Sequence, residues 1–205
     1  MSLKIDKTTY NIPSENYYKS KNKKTQIILA GSLRSESNHI KRLSKKSYGM
    51  TKKWCTYTIS RDGKIYQHYD PKYYTDFMVD KEIDKKSISI VLENMGSLFY
   101  DDETDKWYNW IMETCTNELV YEKHWKSGRY WESYTEKQFI STIELCKYLS
   151  KKYNIILDSL GLNVYESFTK NFQGIVTRSN YDIDYSDLNP QFNFKRFLKE
   201  IGINS

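Results

Sequence analysis

Ser87-Ile88-Ser89-Ile90-Val91-Leu92-Glu93-Asn94 is the most strand-like stretch of the chain. It is β-branched, mostly apolar and bounded by polar residues, which places it as a buried central strand. Upstream, Trp54 to Ser60 reads as a strand, Arg61-Asp62-Gly63 as a hairpin turn, and Lys64 to Tyr69 as the returning strand. Thr25 to Gly31 is a short apolar run closed by glycine, a further buried strand. Downstream, Thr135-Glu136-Lys137-Gln138 has the form of a capping box. Phe139, Ile143, Cys146, Leu149 and Tyr153 follow at helical spacing. Gly174-Ile175-Val176 is a last strand, and Phe192 to Ile201 a short terminal helix. Mixed strands and helices in this order predict an α/β domain with a single mixed central sheet flanked by helices.

Three segments lie outside that pattern. Residues 1–24 are polar and lysine-rich and read as an arm ahead of a domain spanning 25–201. Ser35 to Met50 is basic and polar, a surface helix or loop. Residues 97–133 carry Trp107, Trp110, Trp125 and Trp131 without clear periodicity and read as a long decorated insertion.

With 205 residues, the chain is long enough to bury a core without staples. Hydrophobic residues at 39% and charged residues at 28% exclude a disordered tail or a fibre. Aromatic residues reach 16%, which suits flat polar ligands and protein interfaces alike. The net charge of +6 sets 32 basic residues, 26 of them lysine, against 26 acidic ones, a surplus that aids solubility and attracts polyanions. No helix-turn-helix, zinc-finger or RNP-type pattern accompanies the lysines, so no sequence-specific nucleic acid partner is expected. Cys55, Cys115 and Cys146 are sparse and odd in number, which argues against a disulfide framework and a thiolate zinc site. Cys146 falls on the apolar face of its helix, as a buried structural thiol would. No run is long and apolar enough to span a bilayer, so no membrane partner is expected. The first 25 residues lack the apolar core of a signal peptide, so synthesis in the cytoplasm is expected.

Four pieces, in order, resemble zinc-dependent N-acetylmuramoyl-L-alanine amidases of the second type, the fold of phage amidase-lysozymes and peptidoglycan recognition proteins. Tyr57 to Tyr66 is similar to that family's strand, Asp-Gly turn and strand, and Ser87 to Gly96 to its central S-I-G-I-E-L-x-N-x-G strand. Tyr134 to Gln138 is similar to its Y-T-x-x-Q helix start, and Asp187 to Phe194 to its closing D-P-G-P-x-F-x-W segment. The resemblance covers roughly Thr25 to Ile201 and implies peptidoglycan as the substrate class and a zinc ion held by two histidines and an Asp or Cys. Such an ion makes a hydroxide nucleophile near neutral pH.

Carried over residue by residue, the ligand positions fall on Ala30, Arg178 and Asp187, so only Asp187 keeps a donor. The acid of many members falls on Val91, with Glu93 one alternation further along the strand; the helper tyrosine falls on Cys55, and the group two residues before the last ligand on Tyr185. A site keeping one carboxylate ligand should not hold metal, so no cofactor is expected. Arg178 is expected to replace the metal's charge and pair with Asp187. Trp54, Trp125, Arg129 and Trp131 are candidates for lining the substrate groove, beside Glu93 and Asn94. Glu93 itself, a lone carboxylate, reads as a solvated or structural residue. Trp107 and Trp110 are candidates for contact with a protein partner. The resulting expectation is a non-catalytic structural or binding module, phage-encoded and associated with the virion. Two alternatives remain: a peptidoglycan binder that does not cut, and an active amidase using His39 or His68 with Asp187.

Overall fold

Side chains alternate along the central strand, and this builds two unlike faces around it. The computed structural model describes residues 3–35, 39–42, 52–117, 120–162 and 164–203. Six strands form the main sheet: β1 (Ile5–Asp6), β2 (Gln26–Gly31), β3 (Tyr57–Ile59), β4 (Ile65–Gln67), β5 (Ser87–Leu92) and β11 (Gly174–Thr177). Their order is β1-β4-β3-β5-β2-β11, with β3 antiparallel to β4 and every other pair parallel. The strand read as central, β5, lies inside the sheet and is buried along its whole length.

One face is apolar throughout. Ile88, Ile90 and Leu92 of β5 and Ile27 and Leu29 of β2 pack against helices α2 (Glu136–Tyr153) and α3 (Phe194–Ile201). The α2 residues are Phe139, Ile143, Leu145, Cys146 and Leu149. Each such buried side chain contributes about 1.5–3 kcal/mol of transfer free energy. The capping box starts α2 as its sequence requires: Gln138 N donates to Thr135 Oγ1 at 3.1 Å, and Thr135 N to Gln138 Oε1 at 3.1 Å. Gln138 Nε2 also donates to the Glu93 carbonyl at 2.7 Å, which ties the helix start to the end of β5. Gly63 turns the β3–β4 hairpin at φ +84°, where α2 passes so close that an added Cβ would lie 2.9 Å from Lys137.

The opposite face is mixed. Ile28 and Val176 pack with Ile83 of the short helix α1 (Lys81–Lys86), while Ala30 and Val91 pack with Trp54 and Cys55. This second face carries the candidate site.

Two expectations meet a different structure. Residues 3–24 lie along the sheet: β1 extends its edge beside β4, Ile12 is buried, and Lys24 donates to the carbonyls of Tyr73, Lys85 and Ser87. The described residues of 97–133 build a second, five-stranded antiparallel sheet, ordered β8-β7-β6-β10-β9. Its strands are β6 (Ser97–Asp101), β7 (Lys106–Asn109), β8 (Thr114–Cys115), β9 (Val120–Trp125) and β10 (Gly128–Glu132). These strands expose much of both faces, so apolar alternation does not announce them. Of the basic segment 35–50, residues 36–38 and 43–50 lie outside the described residues, and 39–42 are helical. Among the described residues no helix is long and apolar enough to cross a membrane.

Candidate functional site

Parallel strands β5, β2 and β11 end side by side, and the chain leaving β11 and the loop before α3 meet above them. Arg178 follows β11 directly, and Asp187 reaches in from the loop. Arg178 Nε donates to Asp187 Oδ2 at 2.7 Å, and Nη2 donates to the Gly31 carbonyl at 3.0 Å. The same Asp187 oxygen accepts the Gly31 amide at 3.0 Å. Asp187 is fully buried, and among the described residues its Oδ1 has no hydrogen-bond partner. The Arg178 guanidinium lies 4.8 Å from the Tyr185 ring centroid and 5.5 Å from that of Phe77. The expected Arg178–Asp187 pair is thus present, through one guanidinium nitrogen, with the second nitrogen spent on the backbone.

Ala30 and Val91 stand opposite one another in the β2–β5 register, on the mixed face. With Trp54 and Cys55 they make an apolar floor. Beside it opens a cavity of about 180 Å³ whose lining includes Arg178, Arg42, Lys53, Trp54, Phe77 and His39. His39 was read as part of a polar surface segment; it is buried, its ring stacked on Trp54 at 5.0 Å.

His39 and His68 share one hydroxyl. His39 Nε2 lies 3.0 Å from Thr58 Oγ1, His68 Nε2 lies 2.7 Å from the same oxygen, and His68 Nδ1 is 2.8 Å from the Tyr10 carbonyl. Burial, aided by the neighbouring His68, Arg42, Arg34 and Arg178, lowers the pKa of His39 to about 3, and burial lowers that of His68 to about 4. Burial also pushes the Cys55 thiol up to about 12, so it is not a thiolate at neutral pH.

The remaining candidates separate. Glu93 is fully buried, not solvated, and lines a different hollow of about 260 Å³ with Arg34, Arg61, Asn94 and Glu132. Asn94 is a structural knot: Nδ2 donates to the Glu132 carbonyl at 3.0 Å, while Oδ1 accepts from Gly96 N and Asn189 Nδ2, both at 2.8 Å. Of the aromatic groove candidates only Trp54 lines the cavity beside Arg178. Trp131 is buried in the second sheet and donates to the Lys123 carbonyl at 2.8 Å, with Trp125 packed on it at 5.3 Å. Arg129 pairs with Glu122 on the exposed surface. Trp107 is half-buried against Tyr130 at 4.6 Å. Trp110 is 62% exposed, donates to the Leu33 carbonyl at 2.9 Å and carries Arg34 over its ring at 4.7 Å.

Residues 20–180, most of the chain, match the family model described as N-acetylmuramoyl-L-alanine amidase (Amidase_2). The chain belongs to that family. Solved amidases share the fold at low identity. N-acetylmuramoyl-L-alanine amidase LysC from Clostridium intestinale URNW superposes with a TM-score of 0.56 at 15% identity, over 99% of this chain and 100% of that one. A mutant endolysin from Bacillus subtilis gives 0.59 at 15%, over 98% and 100%. The E. coli amidase AmiD, in complex with the substrate anhydro-N-acetylmuramic acid-L-Ala-D-gamma-Glu-L-Lys, gives 0.53 at 12%, over 91% and 60%. No curated protein sequence matches the chain.

Within this amidase-family chain, His39, offered by the sequence only as an alternative ligand beside Asp187, sits instead against a hydroxyl and an indole. Its neighbours in sequence are polar and basic, and only the fold carries it onto Thr58 and Trp54. The two buried imidazoles make a testable pair. Their pKa values lie below the ordinary value of about 6.5. Each therefore contributes stability that is complete above about pH 6.5 and is lost as pH falls toward its folded value. Asp84, pushed up to about 7 by burial, and Glu132, also raised by burial, act in the opposite sense as carboxylates, so the imidazoles must be read individually. NMR resonances of His39 and His68 should hold the neutral form at about pH 5, where an exposed imidazole is protonated. A protonated signature from either ring would contradict this picture.

Proposed function

We propose that this member of the amidase family does not hydrolyse peptidoglycan and serves as a binding module built on the amidase fold. The observation that carries the reading is the Arg178–Asp187 ion pair at the positions the family resemblance assigns to two metal ligands. The donor set does not fit a zinc ion. Alanine offers no lone pair, and a guanidinium is permanently protonated and cannot ligate. Among the described residues, no three of His, Cys, Asp and Glu come together as a metal would need. His39 and His68 both turn Nε2 to Thr58, so they do not form the alternative ligand set with Asp187.

The surface charge of +6 and the exposed aromatics support binding of an anionic wall polymer or a protein. A place in a phage particle, with a protein partner, belongs to the same proposal; the endolysins among the structural neighbours support it. The test has two parts. After incubation with zinc and gel filtration, elemental analysis should find far less than one zinc per chain, and cell-wall suspensions should keep their turbidity. Insoluble peptidoglycan should retain the protein in high salt, where lysine-driven adsorption is screened. Stoichiometric zinc with chelator-sensitive wall lysis would restore the active amidase.

A further inference from the structure

Strand β9 borders the second sheet and turns Tyr121, Lys123 and Trp125, two residues apart, to one side. Facing them are Gln191, Asn193 and Lys195, from the loop before α3 and its first turn. Between the two rows opens a cleft of about 520 Å³, which shares no residue with the cavity beside Arg178. Tyr121 and Trp125 lie about 13 Å apart, four steps of a strand that rises about 3.3 Å per residue. Hydrogen bonds fix which end of each carboxamide a ligand meets. Asn193 Oδ1 accepts the Arg196 amide at 3.0 Å, so its NH2 group is left for a ligand. Gln191 Oε1 accepts from Ser133 Oγ at 3.0 Å, which leaves Nε2 in the same way.

The other polar groups of the cleft have the same sense. Lys123 and Lys195 bring two ammonium groups, and the Trp125 indole brings an N–H that only donates. Among the described residues neither lysine pairs with an acid, and no acidic side chain lines the cleft. With both carboxamide oxygens spent, the Tyr121 hydroxyl is the one side-chain acceptor left among these six residues. A ligand for this cleft is therefore rich in acceptors and negatively charged. A peptide brings an N–H with nearly every carbonyl, which these side chains do not match. A single-stranded nucleic acid asks for a ring under each successive base. Trp125 gives no such platform, since Lys126 lies over its ring at 4.7 Å and Trp131 packs on it at 5.3 Å. Tyr121 is 47% exposed and has no ring partner among the described residues. A sugar or polyol needs only that one ring for its C–H face, and its hydroxyls can turn to accept.

We propose that the cleft between β9 and the start of α3 holds an anionic carbohydrate chain. Its acidic groups lie on Lys123 and Lys195, its oxygens on the Gln191 and Asn193 N–H groups, and its C–H face on Tyr121. Carboxylate and phosphate are the two sources of that charge, and the lysines and amides serve either. This site rests on the reading of the chain as a binding module and names the surface by which the module grips. The two can fail separately: retention on insoluble peptidoglycan without binding of a soluble acidic polymer would remove this cleft and leave the module.

The test is calorimetric titration of the full chain, at physiological salt, with polygalacturonate and with poly(glycerol phosphate). At least one should bind, and neutral dextran should bind about tenfold or more weakly. Lys123→Met with Lys195→Met should weaken the acidic polymer about tenfold or more. Lys19→Met with Lys21→Met removes the same charge from two exposed lysines outside the cleft and should change binding less than about twofold. Asn193→Asp separates structure from binding. Its carboxylate keeps the cap on the Arg196 amide, so the urea midpoint should hold. The lost donor and the added negative charge should still weaken binding about tenfold or more. Equal losses from the two lysine pairs would mean diffuse adsorption and overturn the site. So would an N193D chain that binds like the parent, tighter binding of a thymidine decanucleotide, or no binding of either acidic polymer at millimolar repeat concentration.

Discussion

Replacing Arg178 by methionine should cost about 3–5 kcal/mol of folding stability, the range for stranding one partner of a buried ion pair. Asp187 is fully buried and would keep the Gly31 amide as its named donor, while the Gly31 carbonyl would lose Arg178 Nη2. The charge, not the lost volume, dominates the loss, because methionine keeps much of the aliphatic stem between Phe77 and Tyr185. Combining R178M with Asp187→Asn removes the stranded charge and leaves a side-chain oxygen for the Gly31 amide. The double variant should therefore regain most of the stability and show a coupling of about 2 kcal/mol or more in a double-mutant cycle. Urea midpoints at unchanged slope are the measurement. Simple addition of the two single losses would show that the pair contributes nothing beyond its separate parts.

Rebuilding the missing donors should have the opposite outcome. Ala30→His combined with Arg178→His supplies two imidazoles beside Asp187, whose buried Oδ1 lacks a hydrogen-bond partner among the described residues and is the oxygen an ion would take. Ala30 itself is fully buried, but its neighbours Trp54, Cys55 and Val91 line the adjacent cavity and can shift toward it to admit the larger side chain. Zinc should then raise the unfolding free energy of the double variant by about 3 kcal/mol at a hundredfold excess over its dissociation constant. The parent chain should show no such shift. Either single variant, with two donors, should show little. If the double variant folds and still ignores zinc, positions 30 and 178 are not where the family's ligands stand.

How far the sequence could be read follows from which forces are local. The strand Ser87–Leu92 stands out because every residue in it is buried, so composition alone marks it. The capping box at Thr135 and Gln138 is a contract between residues three apart, and it forms as written. The second sheet escaped because its strands, such as Val120–Trp125, are largely exposed and pair through their backbones. The Arg178–Asp187 contact spans nine residues of irregular chain, and only the alignment of two motifs with a family pattern brought it into view. His39 had no such pattern. Its place depends on a hydroxyl nineteen residues away, which no local signal encodes.

The strand laid down by Ile5 and Asp6 closes one border of the main sheet, with Lys24 clasping three carbonyls where the segment enters β2. A chain shorn of its first two dozen residues would bare the flank of β4, a row of unsatisfied amides and carbonyls open to any passing strand. The polar segment therefore covers that edge, and a shortened protein would be expected to aggregate more readily than the full chain.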